Sequence, residues 1–161
     1  MSGMDNHVLT TLEGGIARLT LHRPKALNAL SLAMIRDISK ALFAWRNDAS
    51  VTHVLLRGSK WNKVSEASEP FGSFCAGGDI RYFHEAVYSE PSAELNRASL
   101  EDFFTEEYAL NYLIHHYPKP VIAFMDGVVM GGGMGLTQGA SIRIVTERTK
   151  MAMPETAIGL F

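Results

Sequence analysis

The sequence predicts an α/β protein. Three observations point there: short β-rich apolar runs, intervening stretches whose apolar residues recur every three to four positions, and a strand, strand, helix, strand order over the first 58 residues. The stretch HVLTTLEGGIARLTLHRP reads as two strands, residues 7–12 and 16–21, joined through Gly14 and Gly15 and bounded by Pro24. From Ser31, which reads as an N-cap, the period changes: Leu32, Ile35, Ile38, Leu42 and Trp45 follow helical spacing to about Asn47. VTHVLLRG then returns to strand and ends at Gly58.

Residues 59–73, SKWNKVSEASEPFGS, are polar and read as a loop. Helices are expected over 80–87 and 100–116, the second carrying Phe103, Phe104, Tyr108 and Tyr112 near one face and ended by Pro118-Lys119-Pro120. VIAFMDG reads as a buried strand, 131–139 as a glycine-rich helix, SIRIVT as a strand and KMAMP as a last one. No internal repeat or low-complexity segment stands out.

Composition narrows the function classes. A chain of 161 residues with 47% hydrophobic and 20% charged residues is of ordinary globular make-up and fits one domain. No stretch approaches the roughly 20 apolar residues of a membrane span. Fifteen basic and 17 acidic residues leave a charge of -2, which gives no electrostatic footing for a nucleic-acid backbone. One cysteine, Cys75, excludes an intrachain disulfide and a multi-cysteine metal site, and the six histidines show no ligand spacing, so no metal is expected. The opening MSGMDNHVLT shows neither secretory nor transit character, so a cytoplasmic location is expected.

Four stretches can carry chemistry. FCAGGDIR, residues 74–81, is either a tight strand-to-helix turn with Asp79 as N-cap or a place where backbone N–H groups meet developing negative charge. DGVVMGGGMGL, residues 126–136, holds glycines costing roughly 1 kcal/mol each in a helix, so close packing or a ligand must require them. It matches neither a dinucleotide fingerprint nor a phosphate loop. FFTEEYALN places Glu106 and Glu107 about 100° apart on a helix, a pattern usually found on a solvated face. In AMPETAIG, Glu155 lies among Met153, Pro154, Ala157 and Ile158, and is either an exposed turn carboxylate or a group for acid-base or nucleophilic work. Cys75 reads as a small packed residue rather than a nucleophile.

Taken in order, RPKALNALS, FCAGGDIR, FFTEEYALN, GVVMGGGMGL and AMPETAIGLF resemble the crotonase (enoyl-CoA hydratase/isomerase) superfamily, and within it the 3-hydroxyisobutyryl-CoA hydrolase branch. The likeness runs from about residue 8 to residue 161. It implies a crotonase-like spiral of repeated ββα units, with residues 1–161 forming the N-terminal part of a single domain truncated at its C-terminal side. It also implies an acyl-CoA substrate, with coenzyme A part of that substrate and no separate cofactor. Backbone N–H groups at Gly78 and Gly132 would form an oxyanion hole, and Glu155 would be the catalytic carboxylate. Glu107 would bind substrate, Lys25 and Ala26 would border coenzyme A, and Asp79 and Ile80 would approach the adenine. Glu106 keeps its solvated reading.

The hydratases of this family carry a further glutamate at the position of Gly135, which cannot move a proton. The resemblance therefore implies thioester hydrolysis in valine catabolism, with enoyl-CoA hydration or isomerisation, or non-catalytic acyl-CoA binding, as alternatives. In the hydrolase branch the partner of Glu155 is an Asp eight residues later, two beyond Phe161. Self-association, or a C-terminal part missing from this chain, is accordingly expected, with no nucleic-acid or membrane partner.

Overall fold

The computed structural model describes residues 6–61, 71–88 and 93–159. The chain forms β1 (Val8–Glu13), β2 (Ile16–Leu21), α1 (Leu32–Arg46), β3 (His53–Gly58), β4 (Lys60–Trp61), β5 (Phe71–Cys75), α2 (Ile80–Tyr88) and α3 (Ala93–His115). It continues through β6 (Val121–Met125), β7 (Val128–Met130), α4 (Gly132–Gln138), β8 (Ile142–Val145) and β9 (Lys150–Ala152) to a 3-10 turn over Glu155–Ile158.

Two sheets result. One has the order β1-β2-β3-β6-β8, antiparallel at β1-β2 and parallel elsewhere; the other has the order β4-β5-β7-β9, antiparallel only at β4-β5. β3, β6 and β8 are each followed by strands of the second sheet, and helical segments come after β5, β7 and β9. This is the repeated ββα spiral. The corners are tied by Asp126, which is buried after β6 and accepts hydrogen bonds from Thr146 Oγ1 at 2.7 Å and from Arg148 Nε at 3.0 Å, both beyond the end of β8.

Period explains the core. Ala17, Leu19 and Leu21 alternate along β2 and are buried, as are Val54 and Leu56 on β3 and Val121, Ala123 and Met125 on β6. Helix α1 buries Met34, Ile35, Ile38 and Leu42 at helical spacing, and the side chain of Ser31 caps it by accepting from Met34 N at 3.3 Å. Burying each such side chain is worth about 1.5–3 kcal/mol.

The loop between β2 and α1 is fixed by an asparagine. Leu27 and Asn28 both have positive φ, 50° and 56°, and Asn28 is fully buried. Asn28 Nδ2 donates to Ser73 O at 2.7 Å and Ser59 O at 3.0 Å, while Oδ1 accepts from Arg23 N at 2.9 Å and Ser59 Oγ at 3.2 Å. One amide thus joins this loop to the end of β3 and to β5. Asparagine tolerates left-handed backbone better than most residues, so it satisfies the conformation and the hydrogen bonds at once.

Helix α4 answers why the chain spends glycine on a helix. A Cβ on Gly133 would stand 2.5 Å from Cys75 O, and one on Gly139, just after the helix, 2.8 Å from His115 N. The bare face of α4 lies against the ends of β5 and α3.

Several elements depart from the sequence reading. Of the expected loop 59–73, Lys60–Trp61 is a strand and residues 71–73 begin β5, while residues 62–70 lie outside those described. β7 is a strand of its own, and α3 begins at Ala93 rather than near residue 100. The aromatic stripe on α3 divides: Phe103 is fully buried, whereas Tyr108 and Tyr112 are exposed. At the open edges of the two sheets, Ile142, Ile144 and Val145 on β8 and Met151 on β9 face outward.

Asn28→Ala is expected to lower stability by about 3 kcal/mol, because it strands buried donors and acceptors and places Ala at positive φ. Gly133→Ala gains roughly 1 kcal/mol of helix propensity yet is expected to destabilise by about 2 kcal/mol net, because the methyl meets backbone. Midpoints of urea unfolding monitored by circular dichroism check both; an unchanged midpoint for either variant contradicts its packing.

Candidate active site

Four segments close around a cavity of about 510 Å³: the loop before α2, the middle of α3, the turn from β7 into α4, and the final 3-10 turn. Gly78, Glu107, Gly132 and Glu155 all line it, as do Phe83, Phe103, Phe104, Asn111 and Gly135.

The turn into α4 is built by Gly131, whose φ is +49°. A Cβ there would lie 2.6 Å from Glu155 Oε1, and a Cβ on Gly132 would collide with Glu107 Oε1. Two neighbouring glycines therefore make room for two different carboxylates. As the first residue of α4, Gly132 has an N–H with no acceptor within the helix. At the opposite loop, Leu30 N donates to Gly77 O at 2.8 Å and Asp79 N to Leu30 O at 2.9 Å, a bridge that uses the groups on either side of the Gly78 N–H. The two loops adjoin, since a Cβ on Gly77 would stand 3.1 Å from Met130 O and 3.6 Å from Gly132 N.

Glu107 is buried, at 6% exposure. Burial, reinforced by the charge of Glu155, pushes its carboxyl up to about 7. Its neighbour Glu106 turns the other way and meets Arg36, whose Nε donates at 2.8 Å, so the two adjacent acids divide between cavity and surface as their helical angle dictates. Aromatic rings wall the cavity: Phe83 meets Phe103 edge-on at 4.7 Å and stacks with Phe104 at 5.4 Å.

Lys25 and Ala26 lie elsewhere, on a cleft of about 570 Å³ shared with His7, His22 and Arg23. Arg23 connects the two regions by pairing with Asp79 Oδ2 at 2.8 Å. Asp79 Oδ1 also accepts from Arg81 N at 3.1 Å, so this residue caps α2 as the turn reading anticipated. Ile80 stands 57% exposed beside it. Cys75 is packed: its thiol is fully buried and burial pushes it up to about 12, which removes it as a nucleophile.

Sequence reasoning missed Asn111 and Phe83. Asn111 sits four residues after Glu107, the spacing that puts two residues on one helix face, and this was the available signal.

The fold is of the crotonase type, and the chain belongs to the enoyl-CoA hydratase/isomerase family, whose model matches residues 16–161. It is 43% identical over 157 residues to the mitochondrial 3-hydroxyisobutyryl-CoA hydrolase of Xenopus tropicalis, covering 98% of this chain and 37% of that protein. Among solved structures it superposes on a carnitinyl-CoA dehydratase from Mycobacterium thermoresistibile with a TM-score of 0.80 and 42% identity, covering 96% of this chain and 41% of that one. An enoyl-CoA hydratase from Rhodobacter sphaeroides 2.4.1 gives 0.79 and 37%, with 96% and 42% covered. The chain thus spans well under half the length of these relatives.

The expected cytoplasmic location is corrected. It rested on the opening ten residues, whereas the hydrolase relatives from frog, cattle and human are all mitochondrial.

An acid whose pKa is higher in the folded chain than in the unfolded one binds more protons when folded. The burial of Glu107 therefore costs nothing below about 4.5 and its full amount above about 7. Glu107→Gln is expected to raise stability at pH 8 by on the order of 2 kcal/mol and to change it little at pH 4.5. Thermal melts of both proteins across this range check the sign; a gain confined to low pH contradicts it.

Proposed function

We propose that this chain carries the acyl-CoA site of a thioester hydrolase acting on 3-hydroxyisobutyryl-CoA or a close short β-hydroxyacyl-CoA, in valine catabolism. The observation that supports this best is the convergence of Glu107 and Glu155 on one cavity, beside two backbone N–H groups and beside Gly135, which has no side chain to act.

In this reading the thioester carbonyl lies between the N–H groups of Gly78 and Gly132. Charge that develops on its oxygen meets donors already in place, and one such donor is typically worth about 3 kcal/mol in the transition state. A carboxylate oxygen of Glu155 attacks the carbonyl carbon, the C–S bond breaks, and the CoA sulfur leaves and takes up a proton. Water then cleaves the resulting anhydride, releasing the hydroxy acid and restoring the carboxylate. Alternatively, Glu155 takes the proton from a water that attacks the carbonyl directly. Glu107 binds the acyl group from the other side. Lys25 and Ala26, on the neighbouring cleft, face the phosphates of coenzyme A, and Asp79 with Ile80 borders the adenine.

A second reading, hydration of an enoyl-CoA, draws on Glu107. With its carboxyl raised to about 7, this residue is poised for proton transfer where position 135 is not.

Thiol release and the absorbance of the conjugated thioester separate the two. The expected result is free thiol from 3-hydroxyisobutyryl-CoA with no consumption of enoyl-CoA. Loss of enoyl absorbance without thiol supports hydration, and no thiol from any hydroxyacyl thioester, with a chain extended past the Asp expected eight residues after Glu155, sinks the hydrolase reading. Calorimetric titration with coenzyme A, run beside the assay, identifies a binding module if affinity appears without turnover.

A further inference from the structure

Asn111 Oδ1 is shielded from solvent and has no hydrogen-bonding partner among the described residues. Its side chain lines the cavity that holds Glu107 and Glu155, on the same face of α3 as Glu107. The amide is seated against α4 at a bare position: Nδ2 lies 2.7 Å from where a Cβ of Gly135 would be. Any side chain at 135 would displace it. A glycine at this place on the helix therefore admits a neutral polar group to the wall of the cavity.

A buried acceptor left unpaired is costly, and a site that keeps one is complemented by a ligand that brings a donor. The thioester carbonyl brings none. On a short acyl chain the group that does is a hydroxyl. Phe83, Phe103 and Phe104 wall the same cavity, and the other side-chain acceptors lining it are the carboxylates of Glu107 and Glu155 and the hydroxyls of Tyr108 and Thr156. Unlike those carboxylates, the amide is neutral at every pH.

We infer that Asn111 is a specificity-determining residue whose carboxamide oxygen accepts a hydrogen bond from the β-hydroxyl of the acyl group, distinguishing hydroxylated from deoxy thioesters. The inference rests on the acyl-CoA reading of the cavity.

Calorimetric titration of the chain with 3-hydroxyisobutyryl-CoA, isobutyryl-CoA and free coenzyme A tests it. The wild-type protein is expected to bind the hydroxylated thioester about tenfold more tightly than the deoxy one, the difference a single buried hydrogen bond supplies. Asn111→Leu is expected to abolish that preference while leaving affinity for isobutyryl-CoA within about twofold, and Asn111→Ala serves where the leucine variant fails to fold. A merely structural asparagine would weaken both ligands together. Equal wild-type affinities, or a preference retained in either variant, overturn the role of Asn111 while the acyl-CoA reading stands. Failure to bind all three ligands overturns both.

Discussion

The buried amide of Asn28 is the constraint from which the site follows. It holds the end of β3, the middle of β5 and the loop ahead of α1 in one hydrogen-bonded knot, and it does so from a left-handed backbone that follows another left-handed residue, Leu27. The knot extends along the chain. Ala76 N donates to Leu27 O at 3.0 Å, Ser73 Oγ donates to the same carbonyl at 2.9 Å, and Arg23 reaches both Ala29 O and Asp79. The loop carrying Gly78 is thereby sutured to the loop carrying Lys25 and Ala26. Two clefts that lie apart become parts of one surface, held by bonds that cross roughly fifty residues of sequence.

The opposite wall obeys a steric rule instead. Along α4, successive glycines face different neighbours: Gly132 meets Glu107, Gly133 meets the backbone of Cys75, and Gly135 meets Asn111. Each missing side chain is thus filled by a group from elsewhere. The helix trades intrinsic propensity for proximity, and the close approach brings a buried carboxyl within electrostatic reach of Glu155. Charge held near a second charge in low dielectric is unfavourable for folding, and such strain is characteristic of places where proteins do chemistry.

Much of the fold was legible because its signals are local. The hairpin declares itself through Gly14-Gly15, and α1 through Ser31 and its helical period, and both fall within a residue or so of expectation. β5 and β7 were hidden because they depend on distant partners: FGSFC and VVM are short, interrupted by glycine or followed by it, and are held by pairing in parallel with each other across more than fifty residues, with β4 and β9 on their outer sides. The site was legible in part. The family resemblance named Gly78, Glu107, Gly132 and Glu155, which line one cavity, whereas the helix pattern alone left Glu107 on a solvated face, because which face of α3 is buried depends on α4 packing against it. Asn111 carries no local mark of its place, since an asparagine within a helix ordinarily faces water.

Cys75 is the sole thiol of the chain and lies sealed beneath Gly133, with its acidity suppressed. A chromogenic thiol reagent added to the folded protein therefore sees little of the protein itself and reports any thiol freed from an added thioester against a quiet background. In denaturant the same cysteine becomes a reporter of α4 lifting from β5, which ties the integrity of the glycine-packed helix to a single, countable sulfur.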